Sequence, residues 1–274
     1  MPELPEVETI VLELQQLIVE HIIRDVTIRE SKLIAFPDKR EFLTLIKDSL
    51  IEDVSRRGKY ILIKLSEGLT MVIHLRMTGR LLVLPAEMGY DKHTHIIFHL
   101  DNGLDLRFHN LRKFGRIYLV KDNQWVEAGN LTGLGPEPLS DDFTLDKFKE
   151  ILKRRKTNIK ALLLKQDFIA GLGNIYTDEA LFEAGILPHK RADELTDIEI
   201  EKLYRAIRVV LKKAIEYGGT TFSDYRNVQN KMGFFQNELM VYKREGKKCY
   251  RCGTEIAKER VASRGTHYCP GCQK

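Results

Sequence analysis

The chain has 274 residues, enough for two domains or for one large domain with a small module. Hydrophobic residues make up 43% and charged residues 30%, and the sequence shows neither a membrane-spanning apolar run nor a signal-peptide pattern. The formal charge of +5 is mildly basic, so it permits a polyanionic partner without requiring one. We therefore expect a cytoplasmic globular protein with no membrane partner.

The first predicted element is a helix near the N-terminus, in the segment LPEVETIVLELQQLI. Pro5 suits the first helical turn, and Glu6 and Glu8 suit the positive end of the helix dipole. Apolar residues then repeat at helical spacing from Val7 to Ile18. The pattern predicts an amphipathic helix that packs one face against the rest of the protein.

The period then changes to that of β-strands. Short segments rich in β-branched and aromatic residues are separated by turn signals such as Asp101-Asn102-Gly103. The predicted strands are Ile22–Ile28, Tyr60–Leu65, Met71–Leu75, Arg80–Leu84, Thr94–Leu100, Leu104–Phe108 and Arg116–Val120. We predict a β-rich domain over residues 1–132, arranged as a β-sandwich with the N-terminal helix.

A stretch rich in helix breakers, Gly133–Asp142, has the composition of an interdomain linker. Helical patterns follow it, so that the predicted fold class is α+β with several domains. These patterns are Leu145–Arg155, Ile159–Lys165, a helix after Asn174, and Thr196–Tyr217, which opens on the capping-box pair Thr196 and Glu199. Gly218-Gly219 ends the last helix, and Thr220–Gln236 carries no clear period and is interpreted as a mobile loop. The helical domain is predicted to cover residues 133–240.

All four cysteines lie in the last 26 residues, as Cys249-x-x-Cys252 and Cys269-x-x-Cys272, with sixteen residues between the pairs. This spacing is typical of a four-thiolate zinc site, in which two tight turns each supply two sulfurs to one structural ion. The alternative is a pair of disulfides, which a cytoplasmic chain seldom uses and which would close only very short loops. We predict one structural Zn²⁺ in a C-terminal module, residues 241–274.

The C-terminal module is also strongly basic. From Val241 to Lys274, nine Lys or Arg residues stand against three Glu residues, a net charge of +6. The insert between the cysteine pairs carries Lys258, Arg260 and Arg264. A basic hairpin tied by zinc is suited to contacts with phosphate groups.

Five strings of the sequence, taken in order, resemble formamidopyrimidine-DNA glycosylase. They are MPELPEVET at the start, HLRMTGR (His74–Arg80), NLRKFG (Asn110–Gly115), AGLGNIYTDEALF (Ala170–Phe182) and RGTHYCPGCQ (Arg264–Gln273). The resemblance implies a catalytic β-sandwich, a helix-two-turn-helix DNA-binding domain with a lesion-capping loop near residues 218–237, and a zinc-finger hairpin. It also implies a monomer that acts on double-stranded DNA containing oxidised purines or abasic sites.

The same resemblance implies the chemistry of a bifunctional glycosylase and abasic-site lyase of base excision repair. Pro2 matches the nucleophile of the family. Once Met1 is removed, its amine would attack the sugar carbon C1′ and form a cationic iminium, which makes β- and then δ-elimination feasible. Because a terminal α-amine has a pKa of about 7.7–8.0, part of it is neutral near pH 7. The alternative is that Pro2 and Pro5 only start the helix.

Four other residues match catalytic positions of the family. Glu3 resembles the general acid and base that protonates the sugar ring oxygen. Glu6 resembles a supporting carboxylate, although a charge at a helix N-terminus is an equal alternative. Lys59 resembles the lysine that assists base removal and β-elimination, and Arg264 resembles the zinc-finger arginine assigned to δ-elimination. A lysine at a strand edge is otherwise usually only solvated.

Three residues match the side chains that fill the gap left by an everted nucleotide. By resemblance, Phe114 would wedge between base pairs, Arg112 would face the orphaned cytosine, and Met77 would occupy the void. For Met77 and Phe114 the alternative is ordinary core packing.

Further residues match phosphate-contacting positions of the family: His74, His93, Lys156, Lys160, Asn174 and Tyr242, with Lys258 added from the basic insert. Asn174 follows a glycine-rich turn that opens a helix, whose N–H groups can face an anion. A lone histidine is more often structural, and this alternative applies to His74 and His93. Ser263 stands before Arg264 where family members often have Gly, which weakens the transfer of lesion preference.

Two other functions remain open on the sequence. The zinc site and the basic tail suit a nucleic-acid-binding module without catalysis, such as a transcription factor. The sister endonuclease VIII branch, which acts on oxidised pyrimidines, shares the fold and the zinc finger, but it usually departs from the pattern of Leu4 and Val7-Glu8-Thr9 found here.

Overall fold

A computed structural model describes the backbone of residues 1–274 and all side chains except that of residue 130. Its internal contacts separate the chain into two compact units. Unit 1 comprises Met1–Thr132 with Tyr217–Phe234, and unit 2 comprises Gly133–Glu216 with Phe235–Lys274. The chain passes from the first unit to the second at the start of the predicted linker, and the segment 217–234 belongs by its contacts to unit 1.

Unit 1 begins with helix α1, Leu4–Ile18, which the apolar spacing predicts. Pro5 lies in its first turn, where the missing N–H costs no helical hydrogen bond. The buried face includes Val7, Ile10 and Leu14, none of which has exposed surface. Because full burial of such a side chain contributes about 1.5–3 kcal/mol, the helix is firmly packed on the sheet.

Nine strands of unit 1 form one continuous sheet with the spatial order β2-β9-β5-β4-β3-β1-β7-β8-β6. They are β1 (Ile22–Ile28), β2 (Ile34–Phe36), β3 (Ser49–Arg57), β4 (Tyr60–Leu65), β5 (Leu69–His74), β6 (Gly79–Pro85), β7 (Thr94–Leu100), β8 (Leu104–Asn110) and β9 (Arg116–Lys121). The β2–β9 pair is parallel, and the other neighbours are antiparallel. Strands β1 and β3 are joined only through Ile22–Leu50 and Ile23–Ser49, so the sheet divides there into two halves.

The two halves share one hydrophobic core. Ile63 and Met71, from β4 and β5, belong to the same buried cluster as Phe98 and Phe108, from β7 and β8. The buried side chains of α1 join this cluster. Two sheet halves around a common apolar interior form a sandwich, as predicted, and all seven predicted strands are present.

Three elements of unit 1 are not indicated by the periodicity: β2, β3 and helix α2, Lys39–Ile46. In β3 the register shifts between Ile51 and Asp53, and such a bulge breaks the alternation of apolar residues. Strand β2 has only three residues and is too short to show a period. Helix α2 has a start signal, because Asp38 accepts two N–H groups of the first turn as an N-cap.

The segment 217–234 contains no helix or strand among its described residues, in agreement with its lack of a period. The carboxylate of Glu13 in α1 accepts the side-chain amide of Asn227 at 2.6 Å and the N–H of Val228 at 3.0 Å. The carbonyl of Val228 accepts the N–H of Val83 in β6 at 2.8 Å. These bonds join the segment to α1 and to the sheet.

Unit 2 contains the predicted helices and a β-hairpin. Its elements are α3 (Leu145–Lys153), α4 (Ile159–Leu163), α5 (Asn174–Ala184), α6 (Asp197–Glu216), β10 (Ala257–Val261) and β11 (Arg264–Tyr268). The predicted capping box opens α6, since the Glu199 carboxylate accepts the N–H of Thr196 at 2.9 Å and the Thr196 hydroxyl accepts the N–H of Glu199 at 3.3 Å. Across the part of the chain that the structure describes, no helix has the length and apolarity needed to cross a membrane.

The C-terminal module packs on the end of α5. Cys249, Ile256 and Cys269 lie in one apolar cluster with Phe182 of that helix. The backbone of Lys274 exchanges hydrogen bonds with Gly185 and Leu187, both at 3.0 Å. The hairpin is therefore attached to the helices of unit 2, and the chain has the predicted α+β organisation.

Candidate functional site

The start of α1 places two carboxylates in the protein interior. Pro2 is buried, Glu3 is 5% and Glu6 is 2% exposed, whereas Met1 is 56% exposed. One oxygen of Glu6 accepts the N–H of Glu3 at 2.7 Å, within a capping box. A hydrogen-bonded N–H at the start of a helix reduces fraying of the helix end, so this bond holds the backbone of Glu3, the residue after Pro2, in place.

The second carboxylate oxygen of Glu6 contacts the segment 217–234, where it accepts the N–H of Thr220 at 2.7 Å. Gly219 has a φ of +79°, and a Cβ on it would lie 2.9 Å from the Glu6 side chain. Only glycine allows so close an approach with this backbone conformation. A single buried carboxylate thus links the N-terminus to the segment.

Tyr225 supports the same link. Its hydroxyl donates a hydrogen bond to the carbonyl of Gly218 at 3.1 Å. Burial, and then the nearby charge of Glu6, raises the pKa of Tyr225 well above its ordinary value. The phenol therefore stays protonated and remains a donor.

Lys59 lies with Gly58 in the two-residue turn between β3 and β4, and it is 6% exposed. Arg56 ties this turn to α1. Its Nη1 donates to the carbonyl of Gly58 at 3.0 Å, and its Nε donates to the carboxylate of Glu8 at 2.5 Å. Helix α1 consequently sets the positions of both Glu3 and the turn that carries Lys59.

His74 ends β5 and is buried beside Tyr60, with the ring centroids 4.4 Å apart and edge to face. Its Nδ1 accepts the N–H of Arg76 at 2.9 Å. Burial lowers the pKa of His74 from 6.5 to about 3, with smaller contributions from the charges of Arg76 and Lys59. The imidazole is therefore neutral near pH 7, and because Nδ1 accepts, the proton sits on Nε2.

Met77, Arg112 and Phe114 meet at one end of the sheet. Met77 is 43% and Phe114 is 50% exposed, so neither belongs to the core. The guanidinium of Arg112 lies 5.0 Å from the ring centroid of Phe114, and its Nη1 is 3.3 Å from the sulfur of Met77. Large exposed apolar side chains in one projecting group mark an interaction surface. We call these three residues the wedge cluster.

His93 lies beside the same sheet end, at the start of β7. Its N–H donates to the carboxylate of Asp91 at 2.9 Å, and its ring meets His109 edge to face at 5.7 Å. Asp91 also accepts the N–H of Thr94 at 3.0 Å. These local contacts hold the half-buried imidazole of His93 in place.

Unit 2 has an open cleft of about 470 Å³ at the N-terminus of α5. Its lining includes three predicted contact residues, Asn174, Tyr242 and Lys258. The side-chain amide of Asn174 donates to the carbonyl of Gly265 at 2.9 Å. This bond joins the start of α5 to the hairpin, and the positive end of a helix dipole beside cationic side chains favours an anion.

Lys258 is itself paired within this cleft. Its ammonium donates to the carboxylate of Glu245 at 2.7 Å, and this bond holds the pKa of Glu245 at about 2. Both side chains are about half exposed, at 49% and 45%. An exposed ion pair of this kind contributes little to stability, so an anion that binds in the cleft can replace the Glu245 carboxylate as the partner of Lys258.

Lys160 requires a correction. The side chain is fully buried, and its ammonium donates to Asp178 at 2.6 Å and to the hydroxyl of Thr266 at 2.7 Å. A charge without exposed surface, already paired with a buried carboxylate, does not lie where a phosphate could contact it. The side chain instead supports the hairpin next to Gly265. Lys156, by contrast, is exposed after the end of α3.

Arg264 is exposed at the first position of β11. The preceding turn residues, Ala262 and Ser263, have φ values of +51° and +61°, the conformation of a tight hairpin turn that favours glycine. The departure from glycine at Ser263 is therefore accommodated with the hairpin register intact, from Val261–Arg264 to Ala257–Tyr268.

Glu179 is a residue that the sequence reasoning missed. It lies on α5, and its buried carboxylate accepts the N–H groups of Met240, Val241 and Tyr242 at 2.8 to 3.0 Å. Burial raises its pKa, while the three donors act in the opposite direction. Glu179 thus fixes the backbone that carries Tyr242. The available signal was an acidic pair, Asp178 and Glu179, inside a helix with aromatic residues three positions before and after Glu179, at Tyr176 and Phe182.

The four cysteines converge on one point, with all sulfurs within 4.8 Å of one another. The Sγ–Sγ distance is 3.8 Å for Cys249–Cys272 and 3.4 Å for Cys252–Cys269. A disulfide requires about 2.05 Å, and all four cysteines are free thiols in the structure, so the alternative of two disulfides is excluded. Tetrahedral Zn–S bonds of about 2.3 Å place sulfurs about 3.8 Å apart. The thiolates fit one structural Zn²⁺ with no position left for substrate.

Three family models match the chain. One, described as formamidopyrimidine-DNA glycosylase N-terminal domain, covers residues 1–117. A second, described as formamidopyrimidine-DNA glycosylase H2TH domain, covers residues 134–226. A third, described as zinc finger found in FPG and IleRS, covers residues 246–274. Together they span most of the sequence in the order that the motifs indicate.

Curated relatives match over the full length. A formamidopyrimidine-DNA glycosylase of Pelotomaculum thermopropionicum is 49% identical over 274 residues, which cover 100% of this chain and 99% of the relative. The corresponding protein of Desulforamulus reducens is 46% identical over 275 residues, with the same coverage.

Solved structures of similar proteins contain DNA. A complex between a Lactococcus lactis FPG mutant and DNA containing Fapy-dG matches with a TM-score of 0.93 and 37% identity over 100% of both chains. A Lactococcus lactis Fpg complex with DNA containing an abasic site matches with a TM-score of 0.93 and 36% identity over 99% of both chains. Another, with DNA containing an oxidised pyrimidine, has a TM-score of 0.92 and 36% identity over 100% of both chains.

Proposed function

The chain belongs to the formamidopyrimidine-DNA glycosylase family, and from this we propose that it excises oxidised purines from double-stranded DNA and then cuts the strand. The substrates are 8-oxoguanine and formamidopyrimidines. The observation that carries the proposal is the end-to-end similarity to a solved complex with DNA containing Fapy-dG, at 37% identity. The cytoplasmic location and the monomeric state of this chain stay predictions.

In the proposed mechanism, the amine of Pro2 attacks C1′ of the damaged nucleotide after Met1 has been removed. The glycosidic bond breaks, the base leaves with its electron pair and a proton, and the sugar ring opens to an iminium. This cation is an electron sink, so removal of a proton from C2′ expels the 3′ phosphate, and a second elimination expels the 5′ phosphate. Burial of Pro2 next to the paired backbone of Glu3 supports its role.

Glu3 acts as the acid that protonates the ring oxygen, and Glu6 positions it through the bond to the N–H of Glu3. Lys59 assists base removal and β-elimination from a turn that Arg56 holds against α1. Arg264 assists δ-elimination from the exposed end of the hairpin. General acid–base catalysis by one such residue accelerates a reaction by about 10²–10⁴-fold.

DNA binding is assigned to both units. In unit 1, the wedge cluster enters the duplex, and the neutral imidazole of His74 and the imidazole of His93 lie on the same domain for phosphate contacts. In unit 2, Lys156, Asn174, Tyr242 and Lys258 bind phosphates, and Lys160 supports the Asn174 and Gly265 backbone from the interior. The predicted lesion-capping loop, near residues 218–237, covers the everted base. The phosphate contacts hold the duplex in position without reading its sequence.

One experiment tests the enzyme against its two alternatives. Incubation with a duplex that carries 8-oxoguanine opposite cytosine, in the presence of borohydride, should trap a covalent protein–DNA adduct. A binding module without catalysis gives no adduct. A sister endonuclease is trapped faster on thymine glycol, which makes that duplex the necessary companion substrate. Preference for thymine glycol would overturn the proposed substrate class.

Removal of zinc should unfold the C-terminal module and abolish DNA binding while unit 1 stays folded. The module is short and its buried aliphatic side chains are few, namely Val241, Ile256 and Val261, so its folding depends on the thiolate–zinc bonds. The single tryptophan, Trp125, lies in unit 1 and reports on that unit. We expect Cys269→Ser to lose zinc and DNA affinity with unchanged Trp125 fluorescence. A variant that lacks zinc yet binds damaged duplex normally would contradict this prediction.

Substitution Phe114→Ala should impair capture of 8-oxoguanine more than cleavage at a preformed abasic site, which needs less unstacking. We expect a loss of about tenfold or more in kcat/KM on the lesion, or about 1.4 kcal/mol. Leu111, which is 49% exposed on the same turn, supplies the control variant Leu111→Ala. Equal losses of Phe114→Ala on both substrates would exclude a wedge role.

A further inference from the structure

Two buried polar residues lie directly beneath the wedge cluster. The cluster comes from two separate turns, one after β5 that carries Met77 and one after β8 that carries Arg112 and Phe114. The strands that flank these turns are paired, with Gly79 of β6 opposite Asn110 of β8. The residues that join the turns are Thr78, which is 7% exposed, and Asn110, which has no exposed surface.

One hydroxyl connects the two turns. Oγ1 of Thr78 donates a hydrogen bond to Oδ1 of Asn110 at 3.3 Å and accepts the backbone N–H of Arg112 at 3.1 Å. Without the hydroxyl, the N–H of Arg112 and the amide oxygen of Asn110 would lose this shared partner. An interior polar group left without a partner is costly, so loss of the hydroxyl would weaken the connection between the two turns.

The surroundings of Asn110 are equally constrained. Its backbone N–H donates to the carbonyl of His93 at 2.9 Å, and its carbonyl lies 3.1 Å from Nε2 of His95. A Cβ on Gly115 would lie 2.3 Å from Nδ2 of Asn110 and 2.5 Å from the ring of Phe108. Glycine at 115 thus lets the second turn close over the Asn110 side chain, which leaves Asn110 little freedom to move.

We propose that Thr78 and Asn110 are positioning residues that hold the two turns as one rigid body, so that Met77, Arg112 and Phe114 enter the duplex together. The inference rests on the proposed function, since it assigns the wedge cluster to lesion capture. Preorganisation of this kind lowers the entropy that must be lost when the side chains are fixed in the complex. Thr78 acts through the backbone of Arg112 and does not itself touch the DNA.

The test compares Thr78→Val, which keeps the shape and removes the hydroxyl, with Thr78→Ser, which keeps the hydroxyl. Single-turnover excision is measured on a duplex with 8-oxoguanine opposite cytosine, and cleavage is measured on the same duplex with an abasic site. We expect Thr78→Val to lower the single-turnover rate of lesion excision about tenfold and that of abasic-site cleavage less than about threefold, with Thr78→Ser within about twofold of the wild type. Equal losses on both substrates, or no loss, would overturn the proposal.

A double-mutant cycle separates positioning from general destabilisation. In the Phe114→Ala background, Thr78→Val should have little further effect on lesion excision, because the side chain being positioned is absent. Independent, multiplicative losses would reject the inference. If Thr78→Val does not fold, Thr78→Ala is measured in its place. Wild-type excision of 8-oxoguanine reports on the proposed function itself, so failure of that function is distinguished from failure of the positioning role.

Discussion

A protein that retains Met1, or any uncleavable N-terminal extension, is expected to lose borohydride trapping and strand cutting while it still binds DNA. With Met1 attached, the nitrogen of Pro2 is a tertiary amide whose lone pair is delocalised into the carbonyl, so it cannot act as a nucleophile. The extension need not disturb the fold, because Met1 is 56% exposed and α1 begins at Leu4 with the Glu3 N–H already paired.

DNA affinity in this experiment depends on groups far along the chain from Pro2. The cleft at the N-terminus of α5 and the exposed Lys156 and Arg264 are unchanged by the extension. Binding to an abasic-site analogue should therefore stay within about tenfold, or about 1.4 kcal/mol. The measurement uses one preparation, assayed before and after its N-terminus is trimmed to Pro2, with mass spectrometry to establish the state of the terminus. Normal trapping by the blocked form would assign the chemistry to another amine, such as Lys59.

The elements that the sequence predicted are those with an uninterrupted apolar pattern, either helical in period or nearly continuous along a short strand. Helix α1 and strands β4 and β7 have the predicted bounds, because α1 keeps its helical period from end to end and the two strands are short, almost fully buried runs rich in β-branched and aromatic residues. Strand β3 was missed because its bulge at Ile51–Asp53 interrupts the alternation of apolar residues. The zinc site was predictable for a different reason, since four cysteines at knuckle spacing allow few other structures.

The contacts that position the candidate site could not be read from the sequence. The bond from Glu6 to the N–H of Thr220 and the bonds from Glu13 to the segment 217–234 join residues more than two hundred positions apart. Lys160 shows the limit most clearly. Motif similarity placed it among phosphate contacts, but Asp178, Thr266 and Gly265 surround its ammonium in the folded chain. A local motif gives the residue type at a position and not the partners that the tertiary structure brings to it.

Substitution Glu3→Gln should lower the rate of 8-oxoguanine excision by about 10²–10⁴-fold, the range typical of losing a general acid. The amide has the same shape as the acid and keeps an oxygen for the helix start, so α1 should form normally. Cutting at abasic sites should fall by less than about tenfold, because an open-chain aldehyde needs no protonation of a closed sugar ring. Single-turnover rates on the two duplexes measure the difference.

The control for this variant is Glu41→Gln, which removes one carboxylate from the exposed first turn of α2 and should leave both rates unchanged. It removes the same single negative charge from the protein at a position outside the site, so any difference between the two variants is not an effect of net charge. The ratio of the two rates in Glu3→Gln is therefore the decisive quantity. If Glu3→Gln removed 8-oxoguanine at the wild-type rate, the acid would have to be another group, and Glu6, buried one helical turn away and bonded to the N–H of Glu3, would be the first candidate.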